Sequence, residues 1–298
     1  NDMSQLKPMI IVLLMLTSAL AGCTGTDGAD GADGQDGEDF EKPEINLYQA
    51  NLEEAGLAFV DLSNANLSYA NVQNTDLRYA NLSGADLSYA NINFSELSNA
   101  DLSYANLSYA DFFLSNLSGV KLSSANLHGV HGISLIGCPD SLPQFWICVG
   151  ENNLVGPYAD LSDANLYDAN LTGANLSNAN LIGADLSIAN LYDANLRYAD
   201  LSNANLYDAN LSDTDLSIAN LYDANLRYAD LSNANLSYAS LRDAHLYGAD
   251  LTGADLSGAD LSRAGLTGAD LTSVYWNDTT CPDGTNSNEN GNTCINNL

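Results

Sequence analysis

The sequence predicts a solenoid, a rod of short stacked units, and three observations carry that prediction. A five-residue pattern runs without slippage over residues 45–129 and again from residue 159, with its centres at Leu47, Leu52, Leu57 and onward. Of its forty centres only Val72, Ile92 and Phe112 are not Leu. The residue two places before each centre is Ala in thirty-three units, so one large and one small apolar position per unit are held to size. A period of five excludes an amphipathic α-helix, which turns about 500° over five residues and would smear Leu around its circumference. Repetition at a short fixed period means that each unit buries its apolar side only against its neighbours.

The units, as in Ala164-Asn165-Leu166-Tyr167-Asp168, resemble the A-(D/N)-L-x-x motif of the pentapeptide-repeat proteins, over about two-thirds of the chain. The resemblance implies an all-β fold: a right-handed quadrilateral β-helix with one pentapeptide per side, twenty residues per coil, Leu along the axis and Ala at the tight inner positions. Seventeen units before the gap and twenty-three after it give two blocks of about four and six coils. At about 4.8 Å per strand, ten coils make a rod roughly 48 Å long. The Asp or Asn before each Leu reads as structural, because such short side chains hydrogen-bond nearby backbone at turns.

Ahead of the repeats, Lys7 and an apolar run over residues 9–16 have the layout of a secretory signal and are too short to span a membrane. Leu20-Ala21-Gly22-Cys23 then matches the lipobox of bacterial lipoproteins. That similarity implies a signal peptide at residues 1–22, cleavage before Cys23, lipidation of Cys23 and membrane attachment through it. Thr24 after the Cys, by resemblance to Gram-negative sorting, points to the outer membrane of a bacterial cell envelope. Residues 23–44 carry a Gly-x-Asp triplet pattern with Asp27, Asp30, Asp33, Asp36 and Asp39. Five triplets without Pro are too few for a collagen helix, so this stretch is expected to be a self-repelling acidic tether. Its carboxylates are candidate calcium ligands, since hard cations prefer oxygen. Residues 40–44 lead into the first block, 45–129, and are expected to cap it.

In the first block Tyr69, Tyr89 and Tyr109 stand twenty residues apart and are expected to stack on one side. Such a ladder either serves stacking alone or offers aromatic faces to a glycan or a protein partner. Residues 130–158 break the pattern: Leu127 and Leu161 are 34 residues apart, not a multiple of five, so the segment must bulge out or change register. The break resembles a Cys-bounded loop that separates blocks in some pentapeptide-repeat proteins. In an exported chain Cys138 and Cys148 are expected to form a disulfide. Zinc held by His128, His131 and the two thiols is the alternative. The second block spans residues 159–276, and Val274, Tyr275 and Trp276 are large enough to plug its last coil. Residues 186–206 recur identically at 216–236, one and a half coils on, so the copies face opposite sides and no single face is uniform. In the tail, residues 277–298, Cys281 and Cys294 bound a polar loop similar to the ends of certain pentapeptide-repeat proteins, and a second disulfide is expected there.

The formal net charge is −30, with 38 acidic residues against 8 basic ones. That balance argues against direct binding of nucleic-acid phosphates and favours solubility, cation attraction or imitation of a polyanion. Three His, no phosphate-binding Gly-rich loop and no nucleophile elbow speak against an enzyme, and no cofactor is expected. The combined expectation is a lipid-anchored envelope protein presenting an acidic rod as a scaffold or interaction surface. Two alternatives accompany it. One is DNA mimicry toward a topoisomerase, as the resemblance to gyrase-binding pentapeptide-repeat proteins implies. The other is calcium-dependent surface adhesion. Formation of a homodimer is left open.

Overall fold

The computed structural model describes residues 44–150 and 152–295. The signal peptide, Cys23 and the tether carboxylates Asp27, Asp30, Asp33, Asp36 and Asp39 lie outside the described residues. Within them each pentapeptide forms one side of a right-handed, four-sided β-helix. The residue before each centre makes a parallel bridge to its counterpart twenty residues on, as in Asn46↔Asn66, Asn51↔Asn71, Gly56↔Asp76 and Asp61↔Asn81, which start the four columns.

The corner between sides follows from the two variable residues. Ala50 N–H donates to the Leu47 carbonyl at 2.9 Å, and Gln49 between them has φ of 54°. A four-residue turn with positive φ at its third position is of type II, normally a Gly or Asn site. Here Tyr, Asp and Asn fill it in most units, for example Tyr69, Asp163 and Asn178. The cost of that conformation is offset by a rung-to-rung bond, since the same amide donates to the next coil, as Gln49 N–H does to the Ser68 carbonyl at 3.0 Å. The Asx side chain locks the corner: Asn46 Oδ1 accepts the Tyr48 N–H at 3.0 Å. Its amide then ties successive coils, with Asn205 Nδ2 donating to Asp185 at 3.0 Å and Asn225 to Asn205 at 2.8 Å.

Inside, every centre from Leu161 to Leu261 is fully buried. The three exceptional centres are not scattered. Val72, Ile92 and Phe112 lie in one column, and the small position that follows them holds Thr75, Ser95 and Ser115, all buried. The Ser95 hydroxyl donates to the Val72 carbonyl at 2.6 Å and accepts the Thr75 N–H at 3.2 Å. It therefore sits where a direct turn bond would otherwise close, and no buried backbone group is left unpaired there.

At the interruption the ladder continues. His131 bridges Asp111 below and Asp160 above, so 29 residues make the coil that normally takes twenty. The excess bulges out and the register of this column is kept. Within the bulge β1 (Ile147–Val149) pairs antiparallel with β2 (Asn153–Val155), and Cys138 and Cys148 are disulfide-bonded with Cα atoms 6.0 Å apart. Both sulfurs are thereby taken from the zinc alternative. Gly132 stands at a centre position and contributes no side chain; buried Leu154 fills the axis instead, and a Cβ on Gly132 would lie 2.8 Å from its Cδ1. Asn153, almost fully buried, is satisfied on both sides, accepting the Ser134 N–H at 2.9 Å and donating to the Asn165 carbonyl at 2.8 Å.

The carboxyl-terminal end differs from the expectation in two respects. Bridges Asp255↔Tyr275 and Asp260↔Thr280 carry the helix beyond residue 276, with Trp276 and Cys281 buried at centre positions. Tyr275 points outward and plugs nothing, because it occupies the outward bridge position before a centre. The tail then reverses, pairing Thr280 antiparallel with Asn286. Ser287, at the start of a 3-10 turn (Ser287–Asn290), donates its hydroxyl to the Trp276 carbonyl and accepts the Thr279 N–H at 3.0 Å. This repeats the hydroxyl bridge of Ser95, so the tail imitates the side chain of a next coil. The Cys281–Cys294 disulfide, both sulfurs buried, closes the end.

Candidate functional site

The outward face that departs most from a plain polar repeat is the aromatic ladder. Tyr69, Tyr89 and Tyr109 each occupy the positive-φ corner position, which throws the ring outward directly above its predecessor. Ring centroids are 4.8 Å apart at both steps, with interplanar angles of 6° and 12°. Tyr48 meets Tyr69 edge-on at 5.9 Å. All four rings are about half exposed; the stack covers both faces of Tyr89 and one face each of Tyr69 and Tyr109.

At the interruption this column changes character. The position after Tyr109 is Gly129, and a Cβ there would meet the Tyr109 ring at 2.5 Å. His128 fills in from the neighbouring position, 5.3 Å from Tyr109 and at 77° to it, with Nε2 and the Tyr109 hydroxyl 3.0 Å apart. Tyr158, the next corner residue of the column, packs on His128 at 4.5 Å. A cavity of about 290 Å³ opens beside these three rings, with Asp160, Asn178 and Asn180 as its polar lining. Asp160 Oδ1 is engaged by Asn180 Nδ2 at 2.9 Å and by the Ser162 N–H at 3.2 Å and hydroxyl at 2.8 Å.

Sequence reading brings Tyr69, Tyr89 and Tyr109 together, and they are together. It missed Tyr158 and Asp160 as neighbours of that ladder because the 29-residue coil hides their register; it also missed His128, although that residue stands 19 after Tyr109 in the regular repeat. His131 is engaged elsewhere, its Nδ1 2.8 Å from Asp111 Oδ1. The bond to Asp111 raises the His131 pKa against the opposing effect of burial. Burial pushes Asp111 up, but bonds from His131, Asn93 and the Phe113 N–H outweigh it and hold the carboxyl below its ordinary range. Other carboxylates are held low by local partners: Asp243 by the Arg263 guanidinium one rung on, and Asp76 by Arg78 at 2.7 Å. Among the described residues no group of three or more His, Cys, Asp or Glu is arranged to hold a metal ion.

A right-handed four-sided β-helix whose axis is filled by Leu defines a solenoid that presents its variable residues on its outer faces. Residues 45–131 and 159–275 match the family described as pentapeptide repeats, and the chain belongs to that family. Among solved structures it is similar to HetL, a pentapeptide repeat protein involved in heterocyst differentiation regulation from the cyanobacterium Nostoc sp. strain PCC 7120. Identity is 30%, over 82% of this chain and 94% of that one, with a TM-score of 0.25. It is also similar to the pentapeptide repeat protein Rfr23 from the cyanobacterium Cyanothece 51142, at 37% identity over 34% of this chain and 58% of that one, with a TM-score of 0.14. Full-length QnrB1, a plasmid-mediated fluoroquinolone resistance protein, is 17% identical over 74% of this chain and 90% of that one, with a TM-score of 0.24. At such TM-scores the likeness lies in the repeat and not in overall superposition. No curated protein sequence matches the chain.

Proposed function

We propose that the protein is a non-enzymatic, lipid-anchored component of a bacterial cell envelope that presents an acidic β-helical rod as a scaffold or interaction surface. The observation that carries this reading is the order of parts: an apolar run, Leu20-Ala21-Gly22-Cys23, an acidic Gly-rich stretch, and then a rod closed at its far end. Such an order suits a tether that enters at the amino-terminal coil and holds the rod away from a lipid surface. A core packed with Leu favours a passive rod, since it leaves the interior no room for a catalytic group. Growth with labelled palmitate tests the anchor. The label is expected in the membrane-bound wild-type chain and absent from Cys23→Ser; an unlabelled, soluble wild-type protein would remove the proposal.

The net charge of −30 favours one reading from another class, imitation of the DNA duplex toward a topoisomerase such as gyrase. A supercoiling assay with the soluble rod decides it, and an enzyme unaffected by excess rod rules that reading out.

A further inference from the structure

We propose that the cavity beside Tyr109, His128 and Tyr158 is a binding site for a small organic cation of the alkylammonium class. The site exists because the ladder breaks there. In the regular stretch each tyrosine covers the one below at 4.8 Å and leaves no room between rings. The missing side chain at Gly129 and the long coil above it open a space of about 290 Å³. Ligand pockets run from about 300 to 1,000 Å³, so this one suits a single compact headgroup and not an extended chain.

The lining chooses the chemistry. Tyr109, His128 and Tyr158 line the space, and the negative face of an aromatic ring attracts quaternary ammonium groups through the ring quadrupole. Asp160 supplies a carboxylate whose Oδ1 is held by Asn180 and Ser162; among the described residues no hydrogen bond reaches its other oxygen. No Lys or Arg lines the space; His131, one rung below Asp160, is bonded to Asp111, and its charged form also feels the Asp160 carboxylate. A net charge of −30 raises the local concentration of any cation. A metal ion is a poor fit, because one carboxylate and two amides give a hard cation too few oxygens. A sugar is also a poor fit: Asn180 already spends its amide on Asp160 and its carbonyl on the Ile182 N–H, leaving Asn178 as the one amide without a side-chain bond.

Calorimetry on the soluble chain tests this with choline, its uncharged carbon isostere dimethylbutanol, and methyl glucoside. Choline is expected to bind and the two neutral probes to give no heat. Tyr158→Asn and Asp160→Asn are each expected to weaken choline binding about tenfold or more, whereas Tyr228→Asn, on a different aromatic cluster, leaves it unchanged. Both pocket substitutions introduce a residue that neighbouring units already carry at the same repeat position, Asn178 and Asn180, so the coil is preserved. Choline binding that survives both substitutions would mean diffuse counter-ion attraction. That outcome, absence of choline heat, or equal binding of either neutral probe overturns the proposal.

Discussion

The repeated Asp or Asn has two tasks that a single letter conceals. Its oxygen closes the corner within one unit and its amide, where it is Asn, bonds the oxygen of the coil before, as in the run Asp185, Asn205, Asn225. The first task was legible in the residue type; the second needs the rung spacing, which only stacking supplies. Buried hydroxyls show the same limit. Thr75, Ser95 and Ser115 stand out in sequence as departures from Ala, yet their purpose appears only when the next coil brings Ser95 to the Val72 carbonyl and the Thr75 N–H. Ser95→Ala leaves both groups buried without a partner and is expected to cost about 1–3 kcal/mol in denaturant unfolding. Equal stability of the variant would show that the direct turn bond forms instead.

His131 replaces the usual Asp or Asn and makes the same column titratable. Its folded pKa is raised above the ordinary 6.5, so its contribution is complete below that range and is lost as pH rises through the raised value. Asp111 has a lowered folded pKa, so its contribution is complete above the ordinary carboxylate range and is lost only as pH falls through the lowered value. The pair is strongest between those limits. His131→Asn keeps an amide donor toward Asp111 without titrating. Between pH of about 5.5 and 8.5 the wild type is expected to lose unfolding midpoint and the variant to hold it; parallel pH profiles would show that this ion pair contributes nothing.

At the scale of elements, the interruption and the cap are built differently. The interruption keeps the column through His131 and lends Leu154 to the axis where Gly132 has no side chain. Sequence spacing announced a bulge or a change of register and could not choose, because nothing in 34 residues says which of them rejoin the ladder. The cap was legible as a Cys-bounded tail, but the placing of Cys281 at a centre was not, since Cys does not read as a Leu substitute until its bridges are known. Because the disulfide closes the end of the core, Cys294→Ala is expected to destabilise the last coil by about 2–3 kcal/mol. Hydrogen exchange should quicken over residues 256–287 and stay unchanged near residue 200; uniform protection would show that Ser287 and Trp276 suffice as a cap.

For the whole molecule, a net charge of −30, most of it carried by the slender rod, means that carboxylates on neighbouring faces repel throughout. Salt screens such exposed charges within a Debye length of about 10 Å at 0.1 M. The melting midpoint is therefore expected to rise as NaCl goes from about 20 mM to about 500 mM, and a flat or falling midpoint would mean that the Asx ladders already absorb the repulsion. The repeat and its stacking were legible from forty units, whereas the unbroken passage through residues 130–158, which adds a coil, and the continuation past residue 276 were not. That passage is best tested by pulsed electron resonance between spin labels at Arg78→Cys and Arg227→Cys in the chain lacking residues 1–23. Both positions follow a centre directly and are exposed, and the 149 residues between them amount to seven coils of twenty plus the nine extra residues of the bulge. One continuous ladder predicts a single narrow distribution near about 34 Å, widened only by the labels' own reach. Two populations, or one broad distribution, would contradict it.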